Sequence, residues 1–273
     1  MISKKKIEDA AQKVLDDLGP YHKEGVYEEA IMHEFRCCDI PYERQRNVEI
    51  IYKGYSVGTR TPDCILNLLN TEGKEEEFLV EMKALANIKA TQEKQVKVYL
   101  ASMNIDKGAI LNFNRSTDEI EFKEVQNPGR EFRKDMVFPK GTCDEVNKEI
   151  LKEAGKEVID YLGTEFSYDR SGLDLYKEAV SVELRLQGLD FNSTTYPILY
   201  RNHHVTDYAY DYIFCNGEVA NIIAYDDESQ IIDYVKEFSA YNKRFGIEKG
   251  FVLALPKEEQ KKKKKLEVEV EKV

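Results

Sequence analysis

The sequence lacks long apolar runs and the residue clusters that bind zinc. No stretch of about 18 apolar residues occurs, so we expect no membrane-spanning segment. The basic and then amphipathic start has no continuous apolar core, so we also expect no signal peptide. The four histidines lie apart from the five cysteines, which form no C-x-x-C motif and no pairing framework. We therefore expect no zinc site and a reducing, intracellular setting.

Negative charge predominates in the 273-residue chain, whose formal net charge is −11. Such a protein repels nucleic acid at long range, so any function on nucleic acid requires a local basic surface or bound metal ions. Hydrophobic residues make up 42% of the chain, a fraction typical of folded proteins. The length allows one large domain or two of ordinary size.

Five segments of the first half recur in the same order in the second half. IEDAAQKVLDDLG from Ile7 resembles LKEAGKEVIDYLG from Leu151, and VYEEAIMHEF from Val26 resembles LYKEAVSVEL from Leu175. An ordered series of such matches is the signature of internal duplication. We predict two copies of one unit, residues 1–130 and 147–273, joined by a linker of residues 131–146.

Each predicted unit has the order helix, helix, strands, helix, strand, strand. Apolar residues at helical spacing from Ile7 to Leu18 predict the first helix, and the second runs from about Glu24 to Cys38. VEIIYKG, TPDCILNLL and EFLVEMKAL have the length and composition of strands. The predicted fold class is α/β (mixed α+β), with a mixed central sheet flanked by helices in each unit.

Charged residues interrupt the apolar segment FLVEMKAL. Side chains alternate between the faces of a strand, so Glu81 and Lys83 point to one side and Met82 to the other. In TPDC, Asp63 stands at the start of another apolar strand. If the two strands pair, Asp63, Glu81 and Lys83 converge at one edge of the sheet.

Two carboxylates beside an ammonium suit a hard divalent cation such as Mg²⁺, which prefers oxygen ligands and lowers the pKa of bound water. A lysine beside that water can position it and stabilise the charge that develops on a phosphate. The alternative is a solvated strand edge with a salt bridge between residues two apart. These three residues alone leave both interpretations open.

The ordered set of segments resembles the PD-(D/E)xK nuclease superfamily and, within it, the family named for a GxxExxY motif. The resemblance covers about residues 7–125 and rests on EGVYEEAIMHEF, PDCIL, VEMKAL and KQVKVYL. It implies a restriction-endonuclease-like fold and Mg²⁺ or Mn²⁺ as cofactor. The catalytic residues that it implies are Asp63, Glu81, Lys83 and Gln95. The implied metal ligands are Asp63, Glu81 and the backbone carbonyl of Met82.

The chain departs from the family pattern at two positions. Tyr21 stands where the naming motif has glycine, and Gln92 replaces a histidine common three residues before the helix glutamine. Neither change removes an implied metal ligand, so the departures concern only the finer contacts with substrate.

Two glutamates of the second helix are further candidate metal ligands. Glu24, Tyr27, Glu28 and Ile31 share one helical face, and a carboxylate on a core-facing stripe needs a partner. One interpretation places Glu24 or Glu28 in the metal cleft, with Tyr27 as a supporting residue. The alternative is a carboxylate that stabilises the helix N-terminus beside a core tyrosine.

Gln95 and Tyr99 lie four residues apart on the third predicted helix. They can line the cleft, where Gln95 orients substrate or Lys83 and Tyr99 supports it. The alternative is an ordinary helix surface. Cys64 should point away from Asp63, and we interpret it as a small core residue.

The second unit keeps the apolar framework and loses most of the charged set. The degenerate counterparts, in the order of Asp63, Glu81 and Lys83, are Asp211, Asn221 and Ile223. One carboxylate without a lysine makes a poor metal site. We therefore predict that the second unit is a non-catalytic copy, for which imitation of a homodimer partner, nucleic-acid binding and protein binding are all compatible roles.

A run of five lysines, Lys261–Lys265, stands where the first copy has its terminal hairpin loop. Such a run can contact phosphates, and it can equally form a solvated turn.

We expect a metal-dependent nuclease whose active site lies in the first unit. DNA is preferred to RNA as its substrate by family analogy alone. No membrane is involved, and an internal pseudo-dimer of the two copies or a homo-oligomer fits the pattern. The rival interpretations are an inactive nucleic-acid-binding protein and an interaction scaffold that retain the nuclease fold. The acidic charge favours the inactive binder, and the intact Asp63, Glu81 and Lys83 favour the enzyme.

Overall fold

A computed structural model describes most of the chain. The described residues are 4–69, 74–129, 137–142, 145–166, 170–257, 260–261, 264–265 and 267–273. The chain divides into two compact units, Met1–Phe132 and Arg133–Val273. None of the described helices combines the length and apolar character that a membrane crossing requires.

The described part of the first unit contains three helices and seven strands. The helices are α1 (Lys4–Leu18), α2 (Glu24–Cys37) and α3 (Ala90–Met103). The strands are β1 (Tyr42–Arg44), β2 (Val48–Tyr52), β3 (Tyr55–Arg60), β4 (Cys64–Leu69), β5 (Glu75–Lys83), β6 (Lys107–Phe113) and β7 (Ile120–Gln126).

Five of these strands form a mixed sheet in the order β1-β4-β5-β6-β7, and β2 pairs with β3 separately. β4 and β5 are antiparallel neighbours, whereas β5 and β6 are parallel. A parallel pair needs a crossover connection, which α3 supplies here. The start of β4, the end of β5 and the start of α3 are therefore held close to one another.

Helices α1 and α2 cover one face of the sheet. The apolar stripe of α1 is buried as its spacing predicts. Tyr27 of α2 is buried and stacks on Phe113 of β6, with ring centroids 4.2 Å apart. Its hydroxyl donates a hydrogen bond to the Gly19 carbonyl at 2.8 Å, which anchors α2 to the end of α1. Cys64 is fully buried in the same core, in agreement with its interpretation as a core residue.

The second unit repeats this order of elements. Its helices are α4 (Lys148–Leu162), α5 (Arg170–Leu186) and α6 (Glu228–Phe245). Its strands are β8 (Phe191–Tyr200), β9 (His203–Phe214), β10 (Val219–Tyr225), β11 (Gly250–Pro256), β12 (Gln260–Lys261), β13 (Lys264–Lys265) and β14 (Glu269–Lys272). The main sheet has the order β14-β11-β10-β9-β8, with β10 and β11 parallel.

A tyrosine anchors the second helix in both units. Tyr176 of α5 donates to the Gly163 carbonyl at 2.8 Å, as Tyr27 does to Gly19. The predicted fold class is confirmed, because each unit is a mixed sheet flanked by helices. In the lysine run, Lys262 and Lys263 lie outside the described residues.

Part of the predicted linker packs on the second unit. The Thr142 N–H donates to the Gly188 carbonyl at 2.7 Å. Val146 is fully buried, and its N–H donates to the Glu218 carboxylate at 3.0 Å. Residues on the C-terminal side of the linker therefore belong to the fold of the second unit.

The cysteines differ from one another in their state. Cys37, Cys38 and Cys64 are free, whereas Cys215 is disulfide-bonded. The interpretation that the cysteines form no pairing framework is therefore wrong for Cys215. Cys143 lies outside the described residues.

Candidate active site

The pairing of β4 with β5 brings Asp63 and Glu81 together. Cys64 is the register partner of Val80, so Asp63, one residue earlier, comes opposite Glu81. Residues opposite one another in an antiparallel pair share a face of the sheet. The Met82 N–H donates to Asp63 Oδ2 at 2.7 Å and fixes the carboxylate at the strand end. The condition for convergence, that these two strands pair, is therefore met.

Lys83 lies between two carboxylates. Its Nζ is 2.9 Å from Glu81 Oε1 and 3.5 Å from Glu24 Oε1. Glu81 is 4% exposed and Lys83 is 9% exposed. The salt bridge between residues two apart is therefore present, but it is buried and not part of a solvated strand edge. Burial of this kind is costly unless the charges are tightly paired.

Burial and neighbouring charge together perturb the protonation of the group. Burial raises the pKa of Asp63 to about 8; the Glu81 carboxylate adds to the rise, and Lys83 opposes it. Burial disfavours the Lys83 ammonium, but Glu81, Asp63 and Glu24 outweigh it and raise the pKa of Lys83 above the usual lysine value. Lys83 consequently remains a cation at neutral pH, and Asp63 retains a proton when no cation is bound.

The two glutamates of α2 have different partners. Glu24 is the one that reaches Lys83, and burial raises its pKa while Lys83 opposes the rise. Glu28 instead accepts from Arg44 Nε at 3.2 Å and from Arg44 Nη2 at 2.9 Å. Of the two alternatives for the cleft, the structure therefore places Glu24 beside Lys83 and ties Glu28 to β1. The sequence carried no spacing signal for Arg44, because it belongs to a short separate strand.

Helix α3 brings Gln95 and Tyr99 to the same region. Tyr99 is buried, and burial followed by the Glu81 and Asp63 charges raises its pKa above the usual tyrosine value. The Oε1 atom of Gln95 is buried without a hydrogen-bond partner. Gln92, at the other position of departure, accepts from the Lys89 N–H at 2.9 Å and thus caps the helix. Gln95 and Tyr99 are therefore not an ordinary helix surface.

Asn112 is a positioning residue that sequence reasoning missed. It is fully buried in β6, accepts from the Leu85 N–H at 2.8 Å and donates to the Leu85 carbonyl at 3.1 Å. These bonds hold the chain just after Lys83. The available signal was one polar residue inside the apolar run GAILNF.

Tyr21 adopts a backbone conformation that favours glycine. Its φ is +73°, and its side chain is 68% exposed. The left-handed backbone conformation costs a residue with a Cβ roughly 1–2 kcal/mol of conformational free energy. Glycine adopts this conformation without strain, so tyrosine is accommodated here at a cost in free energy.

The donor set fits a magnesium-like cation. Glu81 Oε2 is buried and has no hydrogen-bond partner, although an unpaired buried carboxylate oxygen is costly. Within the described residues, no three or more His, Cys, Asp or Glu side chains form a ready group for a metal. Mg²⁺ commonly binds one or two carboxylates and completes its shell with waters and phosphate oxygens. Asp63 and Glu81 match that arrangement. As metal ligands, these two residues, the Met82 carbonyl, Glu24 and Glu28 all stay predictions.

The equivalent position of the second unit is neutral. Asp211 Oδ2 accepts from the Ile222 N–H at 2.8 Å, the counterpart of the bond from Met82 to Asp63. This register puts Asn221 at the place of Glu81, in agreement with the predicted alignment. The Asn221 amide donates to the Ala209 carbonyl at 3.2 Å and to the Tyr234 hydroxyl at 2.9 Å. Ile223, at the place of Lys83, is buried among apolar side chains.

Comparison with protein families gives a match within the first unit. One solved structure with similarity, titled "Crystal structure of SSO0001", is 17% identical; the match covers 45% of this chain and 79% of that chain, with a TM-score of 0.24. No curated protein matches the chain. Residues 2–125 match the model of the family described as "PD-(D/E)XK nuclease superfamily". This match supports assigning the first unit to the PD-(D/E)XK nuclease superfamily.

Proposed function

We propose that the protein is a metal-dependent nuclease that hydrolyses phosphodiester bonds at the site in its first unit. The observation that carries the proposal is the buried group of Asp63, Glu81 and Lys83, in which Glu81 Oε2 lacks a partner. The superfamily match over residues 2–125 supports a nuclease. The motif EGVYE of α2 supports the GxxExxY-type family within it.

Asp63 and Glu81 would hold the cation, with the Met82 carbonyl as a further oxygen. When bound, Mg²⁺ or Mn²⁺ acts as a Lewis acid and lowers the pKa of a coordinated water. Asp63 must release its proton for this, because burial keeps that carboxyl protonated up to about pH 8. The hydrogen bond from the Met82 N–H already holds the Asp63 carboxyl in place, so cation binding requires little movement of this side chain.

Lys83 acts through its charge and not as a base. The carboxylates around it raise its pKa, so it has no free electron pair at neutral pH. Glu81 and Glu24 orient its ammonium, which stabilises the negative charge that develops on the phosphate. Gln95 supplies a buried acceptor that orients the attacking water or the substrate.

We propose that the second unit is a non-catalytic copy of the first. The Asn221 amide donates to the Ala209 carbonyl and the Tyr234 hydroxyl, and it carries no charge, so it cannot replace Glu81. Ile223 is uncharged and cannot replace Lys83. DNA is the proposed substrate, by analogy with the superfamily.

Cleavage of labelled DNA and RNA in Mg²⁺ or Mn²⁺ tests the proposal on the full-length protein. We expect Lys83→Met to lower the rate by about 10²–10³-fold, the effect of removing one electrostatic donor. Lys107→Met is the matched control, because Lys107 is a half-exposed lysine that pairs with Glu76 away from the site. Circular dichroism of both variants confirms that they are folded. Equal rates for the wild type and Lys83→Met would refute the role of Lys83, and metal-dependent binding without cleavage would favour an inactive binder.

A further inference from the structure

The second unit has a cleft of its own beside Asp211. The cleft lies between α5 and the paired strands β8 and β9, with a volume of about 660 Å³. This size is within the range of roughly 300–1,000 Å³ found for pockets that hold small ligands. Its lining is polar and includes Lys177, Ser181, Arg185, Thr194, Thr195 and Tyr212.

Lys177 stands where the first unit has Glu28. Tyr176 and Tyr27 make the same bond to a glycine carbonyl, so the residue after each tyrosine is equivalent. Lys177 Nζ lies 2.8 Å from Asp211 Oδ1. In the second unit an ammonium therefore contacts the aspartate whose counterpart, Asp63, is proposed to hold a metal.

This exchange changes the local charge. Around Asp63, the carboxylates of Glu81 and Glu24 outnumber the single ammonium of Lys83, so the group is negatively charged even while Asp63 keeps its proton. Around Asp211, Lys177 cancels the one carboxylate, and Asn221 is uncharged. A phosphate approaching the first site is repelled unless a divalent cation is present, whereas the second site imposes no such requirement.

Arg185 supplies a second cation to the cleft. Its guanidinium lies over the Phe191 ring at 5.1 Å and the Phe138 ring at 5.8 Å, and the residue is exposed. No ion pair joins it to a carboxylate of the described residues. Glu178 also lines the cleft, so the four charged side chains sum to zero. A guanidinium stacked in this way is held ready for the bidentate recognition of phosphate.

Hydroxyl groups at the floor and the rim of the cleft are also consistent with a phosphate ligand. The Tyr212 hydroxyl donates to the Lys177 carbonyl at 2.7 Å, which joins β9 to α5. Ser181 donates to the same carbonyl at 3.0 Å within α5. Thr194 and Thr195 are exposed on β8, an edge strand of the sheet. Hydroxyls and backbone groups of this kind are common contacts to the sugar–phosphate backbone.

We propose that this cleft binds the phosphodiester backbone of a nucleic-acid strand without a metal ion. Arg185 and the Thr194 and Thr195 hydroxyls contact the phosphates, and Lys177 neutralises the charge of Asp211 that would repel them. The second unit thereby contributes affinity for substrate that does not depend on the cation needed at the first site. This activity does not rest on cleavage by the first unit.

Fluorescence anisotropy of a labelled single-stranded DNA oligonucleotide tests the proposal on the full-length protein in EDTA at low salt. We expect Arg185→Glu to raise the Kd by about tenfold or more. Arg185→Gln should lower the salt dependence of binding by about one phosphate contact. Lys177→Gln should also weaken binding by severalfold. The matched control is Lys236→Glu, an exposed lysine of α6 that pairs with Asp233 and should change the Kd less than twofold.

Lys177→Gln breaks an ion pair and could weaken binding by destabilising the fold. Arg185→Glu changes an exposed side chain, so its effect on the Kd reports on binding. Absence of binding by the wild type in EDTA would overturn the proposal, as would equal Kd values for Arg185→Glu and Lys236→Glu. The nuclease proposal fails by a different result, namely no cleavage in Mg²⁺ or Mn²⁺. Binding in EDTA that requires Arg185 would stand in that case.

Discussion

Asp63 and Met82 are joined by a hydrogen bond of 2.7 Å from the Met82 N–H to Asp63 Oδ2. Asp211 and Ile222 form the same bond at 2.8 Å in the second unit, where the partners of a metal site are missing. A bond that recurs without Glu81 and Lys83 belongs to the architecture of the strand pair. The aspartate therefore has a structural role in both units, and the proposed metal role is confined to the first.

The two aspartates form a matched pair for metal binding. We expect Asp63→Asn to weaken Mn²⁺ binding by at least about tenfold, or ~1.4 kcal/mol, because a neutral amide replaces a charged ligand. Asp211→Asn should leave Mn²⁺ binding within twofold of the wild type. Isothermal titration calorimetry on the full-length protein measures both. Equal losses in the two variants would move the metal site away from Asp63.

The stability of the metal-free protein should fall as the pH rises. Folded Asp63 has a pKa of about 8, whereas an unfolded aspartate titrates near pH ~4. Between these values the folded state binds more protons than the unfolded state, so the free energy of unfolding decreases by up to about 1.4 kcal/mol per pH unit. Thermal unfolding in EDTA across this range measures the slope.

Asp63→Asn isolates this contribution, because its amide does not titrate. The variant should show a shallower loss of stability toward pH 8 than the wild type, and added Mn²⁺ should restore the wild type but not the variant. Parallel slopes for the two proteins would show that Asp63 titrates normally.

The main features of the first unit could be predicted from sequence because they depend on local patterns. Alternating side chains on β5 put Glu81 and Lys83 on one face, and the apolar stripe of α1 marked its buried side. The partners of Glu24 and Glu28 could not be predicted, because both lie on one helical face and both are partly buried. Only the position of β1, which carries Arg44, separates them.

The ion pair of Lys177 with Asp211 also could not be predicted from the sequence. Repeat alignment showed which charged groups the second unit lost, but a gained lysine looks like any helical surface residue until α5 is placed against β9. A buried polar residue inside an apolar strand, such as Asn112, was a readable signal of a positioning role.

Substitutions of Gln95 and Gln92 should have opposite effects, the first on the cleavage rate and the second on stability. Gln95→Ala removes an unpaired buried oxygen that is proposed to orient the water or the substrate, so it should lower cleavage by about 10–100-fold with little change in stability. Gln92→Ala removes the cap on the Lys89 N–H and should cost about 0.5–2 kcal/mol of stability with cleavage retained. Cleavage rates and denaturant unfolding test both. The reverse pattern would make Gln95 a structural residue.

Tyr21→Gly should stabilise the protein. Glycine avoids the Cβ strain at a φ of +73°, and this gain exceeds the entropy that glycine loses on folding, for a net of about 0.5–1 kcal/mol. The exposed tyrosine side chain contributes little packing that would be lost. Val26→Gly is a useful contrast, because this exposed residue lies within α2, where glycine should destabilise by about 0.5–1 kcal/mol. A lower midpoint of unfolding for Tyr21→Gly would contradict the strain.

Glu24 and Glu28 provide the sharpest comparison within α2, since they are one helical turn apart and have different partners. Glu24→Gln removes a carboxylate that orients the Lys83 ammonium, so cleavage should fall by about tenfold while the fold is kept. Glu28→Gln weakens the partly exposed pair with Arg44 and removes a charge that acts only weakly on Asp63, so it should cost at most ~1 kcal/mol of stability and leave cleavage within twofold. Steady-state cleavage and thermal unfolding of the two variants decide between them. A larger loss of cleavage in Glu28→Gln would mean that Arg44 and Glu28, and not Glu24, lie closest to the reacting phosphate.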